Sequence, residues 1–120
     1  MSNPPAQPVG PYTPAVRAGD WLVCSGQVAL KDGRLLAGGV AEQTRQCVEN
    51  LRSLLAGHGA RLEQVAKTTV FLTDIADYAE MNDAYVSALG SHRPARSAVA
   101  VAGLPLGARV EIEAWAYLGS

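Results

Sequence analysis

Two stretches carry side chains that could act on a small molecule. The first is Arg93-Pro94-Ala95-Arg96-Ser97-Ala98-Val99-Ala100-Val101. Pro94 fixes its own φ and biases Arg93 toward extended geometry, so the stretch reads as a turn that releases a strand. From Arg96 the side chains alternate, with Arg96, Ala98, Ala100 and Ala102 on one face and Ser97, Val99 and Val101 on the other. A guanidinium over a row of alanines has room beside it for something small. Its planar set of donors suits a carboxylate or a phosphate. An edge-strand arginine paired with a nearby acid would account for the same residue. The second stretch, residues 108–118, sets Val110, Ile112, Ala114, Ala116 and Leu118 against Arg109, Glu111, Glu113, Trp115 and Tyr117. Two carboxylates followed by Trp and Tyr are unusual on a solvent face. Glu111 and Glu113 either border a cleft or form structural salt bridges, with Arg109 as one candidate partner.

The elements that must position these residues follow from periodicity. Residues 15–18 and 21–27 read as strands joined at Gly19-Asp20, a hairpin signal between apolar runs. Trp21, Val23 and Ser25 share one face of the second strand; Leu22, Cys24 and Gly26 share the other. Gly26 weakens that strand, which points to a bulge or a close backbone approach. Lys31-Asp32-Gly33-Arg34 is a further turn before Leu35-Leu36. Gly38-Gly39 introduces a helix in which Thr44, Cys47, Val48, Leu51, Leu54 and Leu55 recur at helical spacing, and Gly57 and Gly59 stop it. Residues 64–73 read as a central strand, apolar on both faces. Asp77-Tyr78-Ala79-Glu80 fits a capping box, with Asp74 as a rival start, and Tyr78, Met81, Tyr85 and Leu89 form the stripe of a second helix ended by Gly90. Residues 96–102 and 108–118 are the last strands. Two helices can cover only one side of such a sheet. Phe71, Trp115 and Tyr117 would then lie on an open side, which predicts an oligomer that buries it, with Glu111 and Glu113 at or near the subunit boundary.

Composition narrows the function classes. The chain has 120 residues and a formal net charge of −1, which suits one domain spanning residues 1–120 and offers no basic stripe for nucleic acid. Cys24 and Cys47 lack metal or redox spacing and read as buried small hydrophobes. His58 and His92 have no spaced partner ligand, so no metal site is expected. No run is apolar enough to span a membrane. Residues 1–9, rich in proline, read as an extended lead-in without the apolar core of a signal peptide. A soluble cytoplasmic protein is the expectation.

Six blocks in order, Gly10-Pro11-Tyr12, Cys24-Ser25-Gly26-Gln27, Gly38-Gly39 with Glu42-Gln43-Thr44-Arg45-Gln46, Lys67-Thr68-Thr69-Val70-Phe71-Leu72, Pro94-Ala95-Arg96-Ser97 and Val110-Glu111-Ile112-Glu113-Ala114, closely resemble the RidA/YjgF family of imine and enamine deaminases. The resemblance runs over nearly the whole chain from Gly10. It implies an α+β, chorismate-mutase-like fold: one mixed sheet of five to six strands, two helices on one face, and a homotrimer with a site in each subunit cleft. It gives Arg96 the substrate carboxylate and Glu111 the attacking water. It places Tyr12, Ser25, Gly26 and Asn82 at the pocket. Ala98 stands where many members have cysteine, at a position whose backbone carbonyl orients the water. Ala100 and Gly103 replace larger charged residues, and Leu89 a frequent aromatic; these departures bear on substrate identity more than on reaction class.

The implied reaction needs no cofactor. An imine carbon conjugated to a carboxylate is already electrophilic, so fixing the carboxylate, holding a water and managing protons suffice. The products would be a 2-oxo acid and ammonia. Two other readings stand beside it. One is a non-catalytic trimer that binds carboxylates or proteins, in a chaperone-like or translation-inhibiting role. The other is a pathway-specific deaminase of a larger imine, which Ala98, Ala100 and Gly103 would accommodate. A pure binder would need the arginine but not the acid.

Overall fold

The computed structural model describes Pro8 and residues 10–119; the rest of the lead-in expected over residues 1–9 lies outside the described residues. In chain order the elements are β1 (Ala15–Ala18), β2 (Trp21–Gln27), β3 (Leu30–Lys31), β4 (Arg34–Leu35), α1 (Val40–Gly57), β5 (Val65–Leu72), α2 (Tyr78–Leu89), β6 (Ala95–Ala100) and β7 (Val110–Tyr117). The main sheet has five strands in the order β1-β2-β7-β5-β6. Among the described strands only β5 and β6 run parallel. A parallel pair needs a crossover, and α2 is that crossover. β3 and β4 form a separate small hairpin. Its turn residues Asp32 and Gly33 have φ of 54° and 79°, the backbone of a two-residue turn whose twist matches its strands.

Both helices pack on one face of the sheet. α1 turns Thr44, Cys47, Val48, Leu51, Leu54 and Leu55 inward. Most of them join one core with Val110, Ile112, Ala114 and Ala116 of β7 and Val65, Val70 and Leu72 of β5, while buried Thr68 of β5 meets Tyr85 of α2. The alternation of residues 110–116 therefore places Glu111 and Glu113 on the opposite face. Buried Gln43 ties this layer to the start of β7. Its Nε2 donates to the Leu36 carbonyl at 3.3 Å, and its Oε1 accepts the Arg109 N–H at 2.9 Å. Cys24 and Cys47 are buried free thiols. Burial pushes the Cys24 thiol up to about 11 and Cys47 further up, with Glu111 adding a smaller charge effect at Cys47. Neither supplies a thiolate near neutral pH.

Four expectations need correction. The residue-77 capping box does not form, because Asp77 makes no side-chain cap bond. Asp74 caps instead, its Oδ1 accepting the Ala76 N–H at 2.9 Å in a short 3-10 turn over Ile75–Asp77. Asp77 faces Arg109, with an Oδ2–Nη1 separation of 4.0 Å. Second, a register shift between Val65 and Lys67 puts Val65 in the core and leaves Ala66 exposed, breaking the strict alternation. Third, β5 is an interior strand between β7 and β6 as expected, but no described element covers its second face. Fourth, the last two strands are shorter than residues 96–102 and 108–118, since the chain turns away through Gly103 and a short 3-10 turn at Pro105–Gly107.

On the face away from the helices, Trp21 of β2 packs edge-on against Tyr117 and Trp115 of β7, with ring centroids 5.1 and 6.2 Å apart. All three rings remain exposed, as do Val16 and Val99. No described element of the chain covers this aromatic band.

Candidate functional site

The site residues fall into two groups, on opposite faces of the sheet. Arg96 stands on β6 in register with Thr68 of β5, the side on which the helices pack. Its guanidinium carbon lies 5.0 Å from the ring centre of Tyr85 and 5.6 Å from that of Tyr78, both on α2. Arg96 Nη2 donates to Tyr78 Oη at 3.0 Å, and Nη1 lies 3.9 Å from Met81 Sδ. Among the described residues no carboxylate comes within 4.0 Å of Arg96; the ion pairs are Arg17–Asp20, Arg52–Glu49 and Arg109–Asp77. The edge-strand ion pair that could have explained this arginine is absent there. A half-buried guanidinium without a counter-ion is a ready anion site.

Asn82 and Ala98 belong to this group. Asn82 sits one turn beyond Tyr78 on α2, and its buried Oδ1 has no hydrogen-bond partner among the described residues. Ala98 follows Arg96 on the same strand face and packs half-buried against the core. Beyond it Ala100 is exposed, and a side chain grown at Gly103 would meet nothing within 4 Å. The row of alanines is open at its far end.

The second group lies on the aromatic face. Glu111 of β7 is in register with Phe71 of β5, and Gly26 lies beside it on β2. Between Cys24 and Gln27 the pairing with β7 slips. Ser25 and Gly26 together stand opposite the single Glu113, and this bulge turns Gly26 toward Glu111. It corrects the expected grouping of Gly26 with Leu22 and Cys24, while the close approach expected of this glycine is present. A Cβ on Gly26 would lie 2.7 Å from Glu111 Cδ and 2.9 Å from its Cγ. Ser25 Oγ donates to the Thr13 carbonyl at 2.8 Å, which ties the segment carrying Tyr12 to the same bulge.

Burial holds the Glu111 carboxyl above its usual range, and the neighbouring Glu113 charge adds to this. Neither glutamate is in an ion pair among the described residues, and Arg109, the partner considered for them, is taken by Asp77. A half-buried carboxyl with a raised pKa holds its proton more readily than an exposed one, which suits a group that accepts and releases protons. The close approach at Gly26 gives a specific expectation. Gly26→Ala should leave the fold intact, because the flexible end of Glu111 can swing aside. The displaced carboxylate should then cost about tenfold or more in turnover of any substrate it serves. Unchanged turnover at an unchanged melting temperature would remove Glu111 from the site.

Sequence reading missed the two tyrosines as a support for Arg96. Their helical spacing marked them as a packing stripe. Only the parallel pairing of β5 with β6 across α2 brings that stripe beneath the guanidinium.

The family described as Endoribonuclease L-PSP matches residues 2–118. The chain belongs to this family, RidA/YjgF. A human protein named 2-iminobutanoate/2-iminopropanoate deaminase is 42% identical over 113 residues, covering 92% of this chain and 82% of its own. A RutC family protein of Pyrococcus horikoshii is also 42% identical over 113 residues, covering 92% and 90%. The crystal structure of RidA from an Antarctic Psychrobacter is similar with a TM-score of 0.88 at 39% identity, covering 95% of this chain and 93% of that one. RidA/YjgF structures share the two-helix, five-strand arrangement described above. No helix among the described residues is long and apolar enough to cross a membrane.

Proposed function

We propose that this chain is a deaminase that hydrolyses 2-imino acids, and their enamine tautomers, to 2-oxo acids and ammonia. The observation that carries the reading is Arg96, a half-buried guanidinium braced on two tyrosines with no acid to neutralise it among the described residues. It receives the substrate carboxylate through charge-assisted hydrogen bonds. The protonated imine carbon beside that carboxylate takes a water held by Glu111. Glu111 accepts a proton as the C–O bond forms and returns one to the nitrogen. The C–N bond then breaks as the new hydroxyl gives its remaining proton, through Glu111, to the departing ammonia: an iminium carboxylate and water become a 2-oxo acid anion and ammonium, balanced in atoms and charge. The deaminase name of the human relative supports this reaction class. The endoribonuclease in the family's description finds less support, since a net charge of −1 leaves little to hold a phosphate backbone.

Arg96 and Glu111 lie on opposite faces of one sheet, so a single chain does not bring them to one substrate. The reading therefore includes a second copy that presents its Glu111, Gly26 and Ser25 to the Arg96 of the first. The exposed Trp21, Trp115 and Tyr117 offer the surface that such copies would bury, and a homotrimer closes the arrangement. The open end at Ala100 and Gly103 favours imines with side chains larger than a methyl group.

The test is a turnover assay. 2-Imino acids generated in situ by an amino-acid oxidase are followed as loss of trappable imine, on protein whose mass is set by light scattering. Faster loss than in buffer, from a trimer, is expected. Loss at the buffer rate across small and large side chains would leave a carboxylate-binding protein, and a monomeric mass would remove the shared site.

A further inference from the structure

Arg96 is held by three elements at once. Tyr85 Oη and Thr68 Oγ1 share a buried hydrogen bond of 2.6 Å, which fixes the Tyr85 ring between α2 and β5. The Arg96 guanidinium on β6 lies over that ring. One helical turn pair earlier, Tyr78 adds its ring at 5.6 Å and accepts a hydrogen bond from Nη2. Both rings attract a cation through their faces, and neither phenol, when protonated, cancels its charge. Desolvation keeps the Tyr85 phenol protonated to higher pH than usual.

We propose that Tyr78 and Tyr85 are positioning residues for Arg96: a cradle, anchored by Thr68, that aims the guanidinium at an incoming carboxylate. The inference rests on the carboxylate-clamp reading of Arg96 given above and adds to it residues that touch no substrate atom. Arginine has five N–H groups. Tyr78 Oη takes one and Met81 Sδ lies near a second, which leaves three, enough for two parallel bonds to a carboxylate. A free arginine side chain would lose rotamer entropy each time it bound an anion. Here that freedom is lost on folding, because the side chain is pinned before the ligand arrives. A neutral acceptor orients Arg96 without competing for it, as a carboxylate would.

Tyr78 is the residue to test, because it is exposed and its oxygen bonds only Arg96 in this cradle. Tyr78→Phe keeps the ring and removes the acceptor; Tyr78→Leu removes both. Both are read in the native oligomer by calorimetric binding of pyruvate and by KM for 2-iminopropanoate, with Arg96→Ala alongside. Tyr78→Phe should weaken pyruvate binding by roughly three- to tenfold and Tyr78→Leu by about tenfold or more. KM should rise in step, kcat should change less, and the melting temperature should stay within a degree or two of the unmodified protein, an order-of-magnitude expectation for an exposed site. Thr68→Val, which releases Tyr85, should weaken binding in the same direction. If Arg96→Ala loses pyruvate while both Tyr78 variants bind within about twofold of the unmodified protein, the cradle is ordinary packing and the inference is overturned. If Arg96→Ala binds pyruvate normally, or the unmodified protein does not bind it, the carboxylate clamp fails and the cradle with it.

Discussion

Arg96→Ala is expected to leave the fold and the oligomer intact and to remove most imine hydrolysis. A hydrogen-bonded contact to a charged group contributes about 1.5–3 kcal/mol, so kcat/KM should fall by roughly ten- to a hundredfold or more. Substrates without a carboxylate should hardly notice the change. The stability cost is small because Arg96 makes no ion pair among the described residues, and its stacking on Tyr78 and Tyr85 contributes about 1 kcal/mol at an exposed edge. Arg96→Lys should recover little. An ammonium is a compact charge that can neither lie flat on two rings nor offer two parallel donors. Initial rates over a range of 2-imino acid concentrations, paired with thermal melts, check this. Normal turnover in Arg96→Ala would show that the guanidinium only fills space beside α2.

Much of this site could be read from residue order, and the parts that could not have a common physical cause. Alternation along residues 110–116 separates a core face from a carboxylate and aromatic face, and burial follows that division strand-long. The glycine in β2 marked a close approach because a strand interior disfavours glycine. The face onto which it turns was not legible. A bulge inserts one residue, and one residue inverts every later side chain. The same failure recurs at Val65 and Ala66, where a second irregularity shifts the inward set. Alternation is a local rule, while bulges are fixed by the partner strand. The support of Arg96 was hidden for a related reason. Tyr78 and Tyr85 lie far from it in sequence, and a helical stripe does not say which strand it will meet. Nor did the sequence separate the faces of Arg96 and Glu111. That depends on the order β7-β5-β6 and on its mix of parallel and antiparallel pairing.

Glu111→Gln is expected to produce the largest loss. The amide keeps the size of the side chain beside Gly26 but cannot exchange a proton. Turnover should fall by about two to four orders of magnitude, the usual share of general acid–base catalysis. With the proposed clamp at Arg96 on that end of the ligand, pyruvate binding should change little or gain from the loss of a negative charge. The pH dependence separates this from a structural role. Because burial and Glu113 raise the Glu111 pKa, its ionised form is disfavoured in the folded chain. Its contribution to stability is therefore fully present below the ordinary carboxylate pKa and is lost as pH rises through the raised folded value. Gln, neutral throughout, should melt at the same temperature near neutral pH or higher. The acid limb of turnover in the unmodified protein should lie above the usual carboxylate range and vanish in Glu111→Gln. A lowered melting temperature with near-normal turnover would make Glu111 a scaffold residue and leave Glu113 or the backbone to hold the water.

In the proposed function one site draws Arg96 from one copy and Glu111 from another. Co-expression of Arg96→Ala and Glu111→Gln chains, each nearly inactive alone, tests it most directly. In mixed oligomers some interfaces pair the intact arginine of one chain with the intact glutamate of its neighbour. For random mixing of equal amounts these are roughly a quarter of the sites in a heterologous ring. Imine hydrolysis should return to about that fraction of the unmodified rate. Mixed oligomers, verified by mass, that stay as inactive as either parent would place both residues' work within one chain and contradict it.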